Sequence, residues 1–158
     1  GGPLMDLGIY CLQGIIYTTG MLPIAVTAQS PPVSNKEIFI DVEETLIWQM
    51  EMPNGAIAEC RTSYSGEYQN VLRAETDKGW FELNPAFSYD GIKSNTSDGK
   101  KLQFSKFSQQ AKQMDGIAIS IKNNQESIVP GEMGRRDMKI IEAIYKAMNT
   151  GKRVAIEW

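Results

Sequence analysis

The chain is 158 residues long, 42% hydrophobic and 22% charged, proportions of one ordinary globular domain that exclude a disordered or collagen-like chain. Its 16 Lys and Arg against 19 Asp and Glu give a net charge of −3, without the basic excess on which nucleic-acid binding depends. Histidine is absent, which excludes histidine-ligated metal, the Ser-His-Asp triad and the commonest acid–base group near neutral pH.

Gly1-Gly2-Pro3 leads straight into a helical pattern, with Leu4, Leu7, Cys11, Leu12, Ile15 and Ile16 at helical spacing and an end near Gly20. A helix so close to the first residue is expected of a chain that begins inside a longer protein. Short β-branched Pro23–Thr27 is closed by Ser30-Pro31-Pro32. From Asp41 to Met52 the period is two: Val42, Glu44, Leu46, Trp48, Met50 and Met52 share one face, and Glu43, Thr45, Ile47, Gln49 and Glu51 the other. Pro53-Asn54-Gly55 turns the chain into a return arm over Ala56–Tyr64. Val71–Thr76, the Asp77-Lys78-Gly79 turn and Trp80–Leu83 predict a second hairpin, and polar Asp90–Lys101 reads as an exposed loop. Phe107, Ala111, Met114, Ala118 and Ile121 mark an amphipathic helix. Val129-Pro130-Gly131 separates it from a second helix bearing Ile140, Ile141, Ile144, Tyr145 and Met148, which Gly151 ends before a last strand over Arg153–Trp158.

The order predicts an α+β fold: a large open, mostly antiparallel sheet with helices on one face. Two late helices can cover only part of such a sheet, so Leu46, Trp48 and Met50 are expected to need a further partner, most simply a second copy of the chain. Trp48 and Trp80 are placed in sheet packing or a dimer seam. Cys11 and Cys60 read as small buried hydrophobes, or at most one bridge. No stretch approaches the ~20 apolar residues of a membrane span. No metal site, nucleic-acid partner or membrane partner is expected.

The opening helix is where chemistry could sit. Asp6, Tyr10, Gln13 and Tyr17 follow at steps of four, three and four, which lines one polar stripe. Gly2, Gly8 and Gly14 leave room for close approach. A carboxylate one turn from a phenol can orient a substrate hydroxyl while the phenol exchanges a proton with it, provided the phenol's ordinary pKa of ~10 is lowered or a cation helps. By spacing alone the stripe reads first as an ordinary solvated helix face with a tyrosine resting on the rim of the core. Glu43 and Glu44 are neighbours on a strand and cannot form a carboxylate pair on one face. Arg135, Arg136 and Lys139 read as a solvated basic patch, and Asn95-Thr96-Ser97 fits a glycosylation triplet with little weight of its own.

The segment Gly1-Gly2-Pro3-Leu4-Met5-Asp6-Leu7-Gly8-Ile9-Tyr10-Cys11 resembles the GGGxLxDxGxYC stretch of the glucose–fructose oxidoreductase branch of the GFO/IDH/MocA oxidoreductases. Tyr17-Thr18-Thr19-Gly20, Val42-Glu43 with Ile47–Met50, Ser63-Tyr64-Ser65, Lys78-Gly79-Trp80, Pro130-Gly131-Glu132, Arg136-Asp137, Ile140–Tyr145 and Thr150–Val154 fit the same branch in the same order.

That resemblance implies that residues 1–158 form the C-terminal, substrate-binding and oligomerisation domain of an NAD(P)-dependent sugar oxidoreductase, inactive by itself. The NAD or NADP site would lie on a Rossmann domain that the chain lacks, since it holds neither a GxGxxG nor the family's Glu-Lys-Pro motif. By the same resemblance Asp6 and Tyr10 are the catalytic positions. Asp6 holds the sugar, Tyr10 serves as acid and base where other branches use histidine, and the missing lysine would lower its pKa. Gln13 and Tyr17 become further substrate-binding candidates, a sugar or polyol the substrate, and the open sheet face a homo-oligomer interface. The alternative is a non-catalytic carbohydrate-binding or dimerisation module. Sugar identity, cofactor choice and cellular location stay open.

Overall fold

The computed structural model describes residues 1–105 and 107–158. A π-helical turn at Leu4–Gly8 runs directly into α1 (Ile9–Thr19), which stops where Gly20 adopts a left-handed φ of 66° and donates its N–H to the Ile16 carbonyl. There follow β1 (Ala25–Gln29), β2 (Thr45–Glu51), β3 (Ile57–Ser63), β4 (Leu72–Thr76), β5 (Gly79–Leu83), β6 (Ser94–Thr96), α2 (Gln109–Lys122), α3 (Gly131–Thr150) and β7 (Val154–Ala155). Every described strand pairing is antiparallel, so the α+β class predicted from the sequence holds. The strands are laid in two ladders of four and three, one in each of two compact units: Gly1–Glu67 with Gly134–Trp158, and Tyr68–Met133.

In the first unit the strand order is β3-β2-β1-β7. Trp48 stands opposite Ala28 and Cys60, Met50 opposite Val26 and Ala58, and Leu46 opposite Thr62, so the alternation read from the sequence sets one face of this sheet. Helical residues Leu4, Leu12 and Ile15 pack on that face with Ile140, Ile141, Ile144 and Ala147 of α3. Each fully buried aliphatic side chain in such a core contributes about 1.5–3 kcal/mol. The expectation that Leu46, Trp48 and Met50 need a second copy of the chain is corrected. The chain's own helices cover them, Trp48 to 1% exposure. The outward face carries Thr45, Ile47, Gln49, Glu51, Ile57, Glu59 and Arg61 instead. Arg153 closes the sheet edge with bonds of 2.7 and 2.6 Å to the two Glu51 carboxylate oxygens, and Trp158 Nε1 donates to the Pro23 carbonyl at 2.9 Å.

The second unit holds the β4-β5-β6 ladder. Arg73 lies 4.2 Å above the Trp80 ring and pairs with Glu75 at 2.7 Å. Strand β6 falls where the sequence predicted only an exposed loop; Thr96, Asn95 and Ser94 pair with Phe81, Glu82 and Leu83. Helix α2 begins at Ser108, whose Oγ accepts from the Ala111 N–H at 3.3 Å. Its apolar residues Met114, Ile119 and Ile121 stay exposed. Among the described residues no helix is long and apolar enough to cross a membrane.

Candidate active site

The start of the chain is fixed by a buried carboxylate. Pro3 brings no N–H to the first turn, and the Leu4 N–H donates to Glu43 Oε1 at 3.1 Å. Tyr145 of α3 donates its hydroxyl to the same oxygen at 3.0 Å. A negative charge here also meets the positive end of the helix dipole. Gly2 is required by this arrangement, because a Cβ at that position would collide with the Glu43 carboxylate. Gly8 lets the helix seat on the sheet: a Cβ there would lie 2.8 Å from Leu4 Cδ1 and 3.3 Å from Trp48 Cη2. Thr62 of β3 adds a bond of 3.2 Å from its hydroxyl to the Pro3 carbonyl.

On this anchored segment Asp6 and Tyr10 both reach the surface, Tyr10 at 43% exposure, while Gly8 and Leu12 between and beyond them face the core. Asp6 lies within the π-helical turn and Tyr10 in the first turn of α1. The Asp6 carboxylate accepts a hydrogen bond from the Tyr64 hydroxyl, 3.0 Å from Oδ2. Partial burial and that bond push the Tyr64 phenol above its ordinary value. Burial, then the bond to Glu43, does the same for Tyr145. Both phenols therefore keep their protons at neutral pH and act as donors.

Tyr17 is 70% exposed two turns further along. Gln13 shares the stripe but is turned elsewhere: its Nε2 donates to Asp137 Oδ2 of α3, and its Oε1 is buried without a partner among the described residues. Asp137 is 2% exposed and takes a second bond, 2.9 Å long, from Arg136 Nε. Arg136 is thus held against a buried carboxylate rather than lying in a solvated patch as the sequence suggested. Lys139, 5.6 Å from the Trp158 ring, stays on the surface.

Glu43 and Tyr64 are the residues that sequence reasoning missed as parts of this site. Both stand in segments that fit the family pattern, but nothing in their own spacing points to Asp6. The alternation placed Glu43 on the outward face. Because β2 begins only at Thr45, residues before it do not alternate, and Glu43 turns toward the helices while Glu44 holds Ser34 Oγ at 2.7 Å. As expected, the two acids do not pair. Cys11 and Cys60 are both free thiols; burial raises Cys11 to about 11 and Cys60 well above its ordinary value.

Among the described residues all ladders are antiparallel and no Gly-rich strand-to-helix turn occurs, so none of them forms the βαβ phosphate cradle of a Rossmann dinucleotide site. Among the described residues no group of three or more Asp, Glu or Cys gathers to hold a metal. What the segment offers is an exposed carboxylate, Asp6, bonded to the Tyr64 hydroxyl, and an exposed phenol, Tyr10, four residues further on.

Residues 1–82 match the family profile described as GFO/IDH/MocA C-terminal domain. The chain belongs to this family. Its fold superposes with a TM-score of 0.89 on an aldose-aldose oxidoreductase from Caulobacter crescentus complexed with glycerol, 36% identical over 98% of this chain and 48% of that one. A D-xylose 1-dehydrogenase (NADP(+)) from Haloferax volcanii is 24% identical, covering 99% of this chain and 49% of its own length. For a D-glucoside 3-dehydrogenase from Escherichia coli the identity is 23%, over 99% and 49%. This GFO/IDH/MocA chain therefore spans about half the length of the relatives it matches.

Proposed function

We propose that the chain is the substrate-side domain of an NAD(P)-dependent sugar oxidoreductase of the glucose–fructose oxidoreductase-like branch. The observation that supports this is an Asp6 carboxylate held by the Tyr64 hydroxyl, with the exposed phenol of Tyr10 four residues further along the same anchored helical stretch. Relatives that share its full span act on aldoses and glucosides by their names, which supports a sugar or polyol as substrate. In such an oxidation hydride passes to a nicotinamide, NAD or NADP, bound by the other half of the protein. This chain handles the sugar's hydroxyls: Asp6 accepts a hydrogen bond from a hydroxyl next to the reacting one, and Tyr10, as a phenolate that a cation of the other half would stabilise, takes the proton of the reacting one. The outward face of the β3-β2-β1-β7 sheet, with Ile47 and Ile57 among polar residues, is the proposed contact between copies.

The test uses the full-length protein with D-xylose or D-glucose as donor, following NAD(P)H absorbance. Tyr10→Phe is expected to lower turnover by about 10²–10⁴-fold, the usual worth of a general base, with cofactor affinity nearly unchanged. Undiminished turnover would remove Tyr10 from the chemistry. The 158-residue chain alone is expected to give no saturable NADPH fluorescence enhancement. A full-length protein that binds sugar without oxidising it would instead be a carbohydrate-binding module.

A further inference from the structure

We infer that Tyr64 is a positioning residue of the sugar site, holding the Asp6 carboxylate in the orientation that meets a substrate hydroxyl. This rests on the proposed role of Asp6 and adds a residue from a different element. An aspartate on an exposed helical turn has two soft side-chain dihedrals and samples several rotamers. Accepting a bond from one defined hydroxyl requires a single orientation, and small misplacements in an active site cost large factors in rate. The Tyr64 hydroxyl supplies that constraint at 3.0 Å from Asp6 Oδ2. It occupies one of about four acceptor positions on the carboxylate, so the others can meet the sugar.

The tyrosine is itself anchored. Its backbone N–H donates to the Glu44 carbonyl at 3.0 Å. The preceding Ser63 Oγ lies 2.6 Å from Thr45 Oγ1, donates to the Ser65 carbonyl at 2.7 Å and accepts the Ser65 N–H at 3.1 Å. The Glu43-Glu44 dipeptide thereby holds both partners: the Glu43 side chain fixes Leu4, two residues before Asp6, and the Glu44 carbonyl fixes Tyr64. A phenol raised by partial burial and by its bond to Asp6 stays protonated, which suits a donor and separates it from the proton-accepting role given to Tyr10.

A double-mutant cycle in the full-length protein tests this, using whichever of D-xylose and D-glucose the unaltered protein oxidises faster and normalising rates to cofactor-binding sites. Tyr64→Phe is expected to lower kcat/KM about tenfold with cofactor affinity unchanged. Combined with Asp6→Asn it is expected to lose nothing beyond Asp6→Asn alone, because it acts through that carboxylate. Should Tyr64→Phe fail to fold, Tyr64→Gln in the same cycle decides by the same non-additivity. Multiplying effects, or a Tyr64 variant as fast as the unaltered protein while Asp6→Asn is crippled, overturns the role of Tyr64 alone. Full activity in Asp6→Asn and Tyr10→Phe, or no oxidation of either sugar by the unaltered protein, overturns the reading of the site and this inference with it.

Discussion

At the start of the first helix, Glu43 Oε1 receives both the Leu4 N–H and the Tyr145 hydroxyl, so one buried carboxylate ties three parts of the chain together. Hydrogen bonds to a charged group are worth about 1.5–3 kcal/mol, and a buried donor left without its partner costs a similar amount. Glu43→Gln, which keeps the size but removes the charge, is therefore expected to lower unfolding stability by about 1–3 kcal/mol, read as a shift in urea midpoint. Tyr145→Phe removes one of the two bonds and is expected to cost about 1 kcal/mol, the smaller share because the ring is only partly buried. An unchanged midpoint in Glu43→Gln would show that the capping bond contributes nothing. The spacing of Asp6, Tyr10 and Tyr17 made their exposure legible, since steps of four and seven return to the same face of a helix. The turn of Gln13 toward Asp137 could not be counted that way, nor could Glu43 and Tyr64, whose partners lie far off in sequence and are brought close only by the fold.

At the scale of elements, the glycines show which helix positions press on a neighbour and which face open space. Gly8 faces Leu4 and Trp48 at less than ordinary contact distance, so Gly8→Ala overpacks the interface and is expected to cost about 1–3 kcal/mol. Gly116 within α2 and Gly134 within α3 have open space where a Cβ would sit. Alanine at either position is expected to add up to about 0.5–1 kcal/mol through helix propensity. Thermal melts of the three variants check the contrast, and a neutral Gly8→Ala would mean that the helix does not rest on Trp48. The period of two located β2 and β3 within a few residues because Leu46, Trp48 and Met50 alternate with Thr45, Ile47 and Gln49. It could not say what covers the apolar face, which is a long-range fact supplied by α1 and α3. Strand β6 was invisible for a different reason: Ser94-Asn95-Thr96 has no apolar member, and the ladder with β5 alone makes it a strand.

The whole molecule has titrating groups at both ends of the pH scale, and their signs set where it is stable. Hydrogen bonds from Ser65 and Ser34 lower Glu44, the bond from Arg153 lowers Glu51, and the bond from Lys100 lowers Asp98. Groups lowered in the folded state stabilise it above their unfolded pKa of about 4, and that contribution is lost as acid protonates them. The thiols and phenols act at the other end. Cys11, at about 11, and Cys60 are raised by burial, and Tyr64 and Tyr145 lie above their ordinary value. An unfolded thiol ionises near about 8.5. Above that pH the unfolded chain sheds protons that the folded chain keeps, so stability falls, by up to about 1.4 kcal/mol per pH unit for each buried thiol. The urea midpoint is expected to hold between about pH 5 and 8 and to drop from pH 8.5 to 10. Fluorescence of Trp48, buried in the same core as Cys60, follows the unfolding of that unit. Paired Cys11→Ala and Cys60→Ala substitutions lower the midpoint at pH 7 by opening small cavities, yet they are expected to flatten the decline between pH 8.5 and 10. If the slope persists without the thiols, the loss of stability in that range has another source.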